Sequence, residues 1–111
     1  MNSNNAALYV NGSAMYDIVV PEGVTVLRNY VFDGNHITSL TLPSTLTEIQ
    51  SQAIGGCSNC TTITCYAATP PKMAGKNQIS SVTAVYVPTG CAQAYQEASN
   101  WANYGNLIVE L

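Results

Sequence analysis

The chain has 111 residues, which suits one domain with a modest hydrophobic core. Only 8% of its residues are charged, against about 25% in an average globular protein, and its formal net charge is −3. The basic residues, Arg28, Lys72 and Lys76, are too few and too scattered for nucleic acid or an anionic membrane. No apolar run approaches the ~20 residues that cross a bilayer, so we expect no membrane insertion.

Residues 1–15 are predicted to form an N-terminal segment and a possible partial cap. The first six are polar and are expected to be loosely ordered. Residues 7–10 favour a short strand before the turn dipeptide Asn11-Gly12. This region lacks the basic flank and apolar core of a signal peptide.

A repeat begins near residue 16. Residues 17–34 (DIVVPEGVTVLRNYVFDG) align with residues 39–56 (SLTLPSTLTEIQSQAIGG) at an offset of 22. Two further strands follow in register at residues 63–66 and 85–88, giving about four strands over residues 16–88. The shared pattern is apolar-x-x-apolar-x-apolar-Pro, with Tyr66 in place of the proline in the third unit. One strand and its return cannot bury their own apolar side, so the units must stack as a solenoid.

The second unit resembles the BspA-like leucine-rich repeats, a family of bacterial surface proteins. Their repeats read roughly L-T-S-L-x-I-P-x-x-V-T-x-I-x-x-x-A-F-x-G-C. The matching stretches here are residues 37–43 (ITSLTLP), 46–49 (LTEI) and 53–57 (AIGGC). The tail, with residues 94–98 (AYQEA) and 101–104 (WANY), is similar to the closing segment of such proteins from Bacteroides-type bacteria.

This resemblance covers residues 16–111 and implies a short right-handed leucine-rich-repeat solenoid. The expected parts are a small parallel β-sheet, irregular or short-helical returns and a C-terminal helical cap. The resemblance also implies a cell-surface or secreted location and a role in adhesion. The third unit departs from the pattern at residues 67–78 (AATPPKMAGKNQ), where Pro70-Pro71 forbids a helix.

Residues 89–111 are predicted to form the cap. Residues 91–101 (CAQAYQEASNW) are the one convincing helix, with Ala94, Tyr95, Ala98 and Trp101 spaced for one apolar face. Together with the apolar residues 107–109, this helix is expected to cover the last open end of the stack.

Alternation along each strand predicts which side chains point away from the core. The outward columns are Asp17, Ser39, Thr62 and Ala84, then Val19, Thr41, Thr64 and Tyr86, with Pro43 also predicted to point outward. The candidate ligand-binding residues on this face are Ser39, Thr41, Thr62, Thr64, Tyr66 and Tyr86. The two tyrosines come from adjacent strands, which lie about 4.8 Å apart. The alternative is that β-branched threonine simply favours strands.

Cys57 and Cys60 form a CxxC motif, so zinc or redox chemistry has to be weighed. The register instead places Cys60 and Cys65 at inward apolar positions, where a thiol serves as a small core residue. No metal site is therefore expected. Spacing leaves a 57–60 or 60–91 disulfide open, and a secreted origin would permit one.

Catalytic candidates are few. His36 has no fixed partner in its loop, where residues 33–35 read as a turn. The six carboxylates are scattered through the register, and no glycine-rich phosphate loop is present. Trp101 and Tyr104 are expected to pack in the cap rather than to hold a ligand. We expect no enzyme and no cofactor.

The favoured function is a non-catalytic interaction module that binds host protein, glycan or another surface component through the exposed sheet face. The alternative is a structural spacer, or a terminal repeat segment of a longer surface protein, with no ligand of its own. A glycan-acting enzyme, the third hypothesis, would need two converging carboxylates. Self-association through the N-terminal strand edge is a further expectation, against which a strictly monomeric sedimentation profile would count.

Overall fold

The computed structural model describes residues 17–32, 37–55, 57 and 59–111. The strand expected at residues 7–10, the Asn11-Gly12 turn, the turn at residues 33–35 and His36 lie outside this range. The strands of the described part are β1 (Asp17–Val19), β2 (Val26–Leu27), β3 (Ser39–Leu42), β4 (Glu48–Ile49), β5 (Thr62–Cys65), β6 (Lys72–Met73), β7 (Ala84–Val87) and β8 (Ile108–Glu110).

The strands form two parallel sheets, one on each side of the core. The front sheet has the order β1-β3-β5-β7-β8, and the rear sheet has the order β2-β4-β6. Ile18 pairs with Leu40, Leu40 with Ile63, and Ile63 with Val85, so each coil lies in register with the next. The predicted repeat solenoid with a parallel sheet is confirmed.

Side chains from both sheets fill the space between them. From the front sheet, the core takes two inward columns of apolar residues. From the rear sheet it takes Leu27, Ile49 and Met73, which are also buried. The front columns are Ile18, Leu40, Ile63, Val85 and Ile108, and Val20, Leu42, Cys65 and Val87.

The rear sheet was not expected from the sequence, which predicted irregular or short-helical returns. The returns that follow β1, β3 and β5 instead each contain a two-residue strand that pairs with the same position of the adjacent coil. The Gln50 amide donates to the Leu27 carbonyl at 2.8 Å, and the Ala74 amide donates to the Ile49 carbonyl at 2.9 Å. Because the neighbouring coil satisfies these backbone groups, the returns need no helix of their own.

The corner after each rear strand has left-handed backbone. Tyr30, Gln52 and Lys76 have φ values of 61°, 57° and 65°, a region that is unfavourable for residues other than glycine. They occupy the same corner of three successive coils, and the Tyr30 amide donates to the Gln52 carbonyl at 3.2 Å. The strain therefore follows from the path of the coil and does not mark a special site.

Asn77 holds two coils together from inside the protein. Its side chain is 1% exposed, and its Oδ1 accepts the Ile54 amide at 2.9 Å. Its Nδ2 donates to the carbonyls of Gln50 and Ala74, both at 2.9 Å. Gly55 lies beside this contact, where an added Cβ would overlap the Lys76 carbonyl.

Replacing Asn77 with alanine is expected to lower the free energy of unfolding by about 3 kcal/mol, because buried amide and carbonyl groups lose their partner. Urea denaturation followed by circular dichroism measures the loss. The control is Gln78→Ala, which removes one exposed hydrogen bond, to the Asn103 carbonyl, and should cost less than about 1 kcal/mol. Equal losses in the two variants would show that Asn77 does not hold the coils together.

The predicted helix at residues 91–101 is too long. Helix α1 spans Ala92–Glu97, because Ala98 is extended (ψ 142°) and Asn100 is left-handed (φ 69°). The Asn100 side chain donates to the Met73 carbonyl at 2.6 Å, a tertiary contact that accompanies this bend. Ala94, assigned to the apolar face, is exposed, whereas Tyr95 is buried.

A 3₁₀ segment, Trp101–Leu107, leads from this bend into β8. Ile108 pairs with Val85 in parallel register, so the end of the chain adds a fifth strand to the front sheet. Under that strand, the rings of Tyr95 and Trp101 meet edge to face with centroids 5.0 Å apart. The segment after β7 thus adds a strand to the front sheet and aromatic side chains to the core at this end of the stack.

Candidate binding face

The outward side of the front sheet, named here the front face, is built from two columns of side chains. Within each column, the residues of neighbouring strands lie side by side across the sheet, which confirms the predicted outward columns. Val109 of β8 extends the column that contains Tyr86. The front face consists of the two columns, Asp17, Ser39, Thr62 and Ala84, and Val19, Thr41, Thr64, Tyr86 and Val109, together with the exposed Tyr66, which follows the end of β5.

The front face has hydroxyl groups at its centre and apolar groups around them. Thr41, Thr62 and Thr64 are partly buried by their neighbours. Tyr66 and Tyr86 are 48% and 36% exposed. Val19 and Val109, on the first and last described strands, are also exposed.

Two details of the predicted face were wrong. The expected spacing between Tyr66 and Tyr86 was too short: Tyr86 pairs with Thr64, as the predicted column has it, and Tyr66 lies two residues further along, so the tyrosines are diagonal neighbours. Their Cα atoms are then about 8 Å apart by strand geometry, rather than one strand spacing. Pro43 is fully buried, because it follows the end of β3 at Leu42, where strand alternation no longer applies.

The threonines of the front face differ from five others in how their hydroxyls are used. Within the described residues, the hydroxyls of Thr41, Thr62 and Thr64 have no hydrogen-bond partner. Apart from the exposed Thr25 and Thr69, five threonine hydroxyls in the connections between strands donate to carbonyls of the adjacent coil. These are the hydroxyls of Thr45, Thr47, Thr61, Thr83 and Thr89. The front face therefore collects hydroxyls that the fold itself does not use.

Charge is confined to the ends of the front sheet. The Asp17 carboxylate accepts the Ser39 hydroxyl at 2.7 Å, which also leaves Ser39 less available to a ligand than the threonines. At the other end, the Glu110 carboxylate accepts the Ala92 amide at 3.3 Å. The three basic residues lie in the returns, away from the front face. A ligand at the centre would meet no charged group.

The described carboxylates act as local anchors. Glu22 accepts both the amide and the hydroxyl of Ser44, at 2.9 and 2.7 Å. Both hydrogen bonds lower the pKa of Glu22, and the bond from the Ser44 backbone amide has the larger effect. Glu97 accepts the Gln93 side chain one helical turn away. In the described part of the chain, no group of three or more His, Cys, Asp or Glu residues could hold a metal ion.

Cys60 and Cys65 are core residues, as the register predicts. Cys57, Cys60 and Cys65 are buried, and Cys60, Cys65 and Cys91 are free thiols. Burial raises the pKa of both Cys60 and Cys65. Since the thiolate is the reactive form, neither is suited to act as a nucleophile at neutral pH.

Trp101 and Tyr104 pack in the core, as expected, and do not form a ligand surface. Both are buried. The Tyr104 hydroxyl donates to the Asn77 carbonyl at 2.9 Å and accepts the Ile79 amide at 3.0 Å. Burial raises the pKa of Tyr104 to about 12, so the hydroxyl stays protonated in these two bonds at neutral pH.

The two parallel sheets and the repeat register define a solenoid of the leucine-rich-repeat class. A family model, described as the BspA type leucine-rich repeat region and comprising six copies, matches residues 5–98. The chain belongs to this family. No curated protein matches it.

Membership of a leucine-rich-repeat family suggests a protein-interaction module, and this family is typically non-enzymatic. None of the described helices is long and apolar enough to cross a membrane.

Proposed function

We propose that the chain is a non-catalytic interaction module of the cell surface or secreted space. It binds host protein, glycan or another bacterial surface component through the front face. One observation carries this proposal: the hydroxyls of Thr41, Thr62 and Thr64, unused by the fold, lie beside two exposed tyrosine rings in the part of the front face that has no charged group.

The chemistry of these side chains supports binding without catalysis. Each threonine hydroxyl can donate one hydrogen bond and accept others. Tyrosine offers a large, rigid contact area at a low cost in conformational entropy. Side chains that stand on neighbouring strands of a sheet are also held in fixed positions, so a ligand orders little of the protein when it binds.

The test compares the wild type with a Tyr66→Ala/Tyr86→Ala double variant on an array of extracellular-matrix proteins, glycans and bacterial surface components. We expect the double variant to bind at least about tenfold more weakly, because it loses both aromatic contacts. The matched control is Tyr30→Ala, which removes a still more exposed tyrosine from a return and should leave binding unchanged.

Binding that survives in the double variant would place the interaction elsewhere on the molecule. If the wild type binds nothing at high micromolar concentration, the spacer hypothesis is favoured. Self-association through the N-terminal edge stays a separate proposal, since the residues preceding β1 lie outside the described range.

A further inference from the structure

We propose that the ligand of the front face is a neutral oligosaccharide. This inference rests on the proposed function and specifies its ligand. It draws on the area of the described front face, on its lack of basic residues and on the kind of hydrogen bonds that it can make.

The size of the front face favours a small ligand. Five strands about 4.8 Å apart, with at most four residues each, make a surface of about 20 by 13 Å, or about 250 Å². A stable protein–protein interface buries about 800 Å² on each partner. The described part of the front face therefore has an area that a few sugar rings would cover.

The charge distribution selects among oligosaccharides. Sialylated, uronic-acid and sulfated glycans carry negative charge and are usually held by arginine or lysine. The front face offers no cation, and the carboxylates of Asp17 and Glu110 lie at the two ends of its sheet. A negatively charged glycan would be repelled, so the ligand should be uncharged.

The hydrogen-bonding groups match those of a sugar. Sugar hydroxyls both donate and accept, as do the unused hydroxyls of Thr41, Thr62 and Thr64, so the two sets can pair without a fixed polarity. The Tyr66 and Tyr86 rings, diagonal to one another, add apolar surface for the C–H faces of sugar rings. A sugar ring can bind such a surface without a deep pocket, whereas the main anchoring side chains of most protein interfaces fill pockets on the partner.

The experiment uses a printed array of neutral, sialylated and sulfated glycans, with extracellular-matrix proteins in a separate panel. The variants are Tyr86→Ala, which removes a ring, and Thr64→Val, which removes one hydroxyl at nearly constant shape. Their matched controls are Tyr30→Ala and Thr25→Val, at exposed positions outside the front face. Circular dichroism establishes that all four variants are folded.

We expect the wild type to bind neutral glycans only. Thr64→Val should weaken binding about three- to tenfold, as the loss of one hydrogen bond predicts, and Tyr86→Ala should weaken it at least about tenfold. The two controls should bind like the wild type.

The other outcomes separate this inference from the proposed function. A protein that binds through Tyr86, with no glycan bound, overturns the oligosaccharide and leaves the interaction module standing. Binding confined to sialylated or sulfated glycans also overturns the neutral ligand. If neither panel gives binding that depends on Tyr86 or Thr64, both proposals fail.

Discussion

Leu42→Asp is expected to unfold the domain, whereas Thr41→Asp should leave it folded. Leu42 is fully buried in an inward column, and its strand partner in the next coil is Cys65. A carboxylate there would lose its hydration without gaining a partner, at a cost of several kcal/mol. Small domains have only about 5–15 kcal/mol of stability in total, so most or all of it would be lost.

The neighbouring variant is the control, because it introduces the same charge one residue away. Thr41 points outward and is only partly buried, so its aspartate remains hydrated and should cost about 1 kcal/mol through lower strand propensity. Far-UV circular dichroism and urea unfolding distinguish the two variants. Equal stability would mean that the inward and outward columns have been assigned to the wrong faces.

Trp101→Ala is expected to lower the free energy of unfolding by about 4 kcal/mol, the range of large aromatic truncations in a core. Trp101 is fully buried, and its ring meets Tyr95 and lies 6.3 Å from the ring of Tyr104. Its Nε1–H donates to the Pro71 carbonyl at 2.9 Å. The variant therefore leaves both a cavity and an unpaired carbonyl beneath the last strand.

Two further variants separate these contributions in the same urea measurement. Trp101→Phe keeps much of the aromatic packing but loses the N–H, and should cost about 2 kcal/mol. Leu107→Ala, at an exposed position of the same 3₁₀ segment, should cost less than about 1 kcal/mol. A Trp101→Ala loss as small as that of Leu107→Ala would show that Trp101 does not support this end of the core.

The repeat made the front sheet predictable. An offset of 22 or 23 residues with alternating apolar positions specifies both the strand order and the inward side of each strand. It also identified Cys60 and Cys65 as core residues, although their residue type alone suggests metal or redox chemistry. Such a register can be read directly from a sequence because each coil must place the same positions over those of its neighbour.

Several features of the front face depended on tertiary contacts. The end of β3 placed Pro43 inside, although strand alternation predicted that it points outward. Val109 joined the face through the pairing of β8 with β7, which places it beside Tyr86. The separation of used from unused threonine hydroxyls had no sequence signal, because it depends on whether the carbonyl of the adjacent coil lies within reach.

The sequence by itself determined the repeat, the inward and outward columns, and a surface that is nearly free of charge, because these follow from residue type and periodicity. Tertiary structure determined the conformation of the returns and of the segment after β7. The rear sheet exists because adjacent coils satisfy each other's backbone groups. Helix α1 ends at Glu97, and Asn100 beyond it bonds to Met73. A short segment has little conformational preference of its own, and its final structure depends on the neighbours that receive its hydrogen bonds.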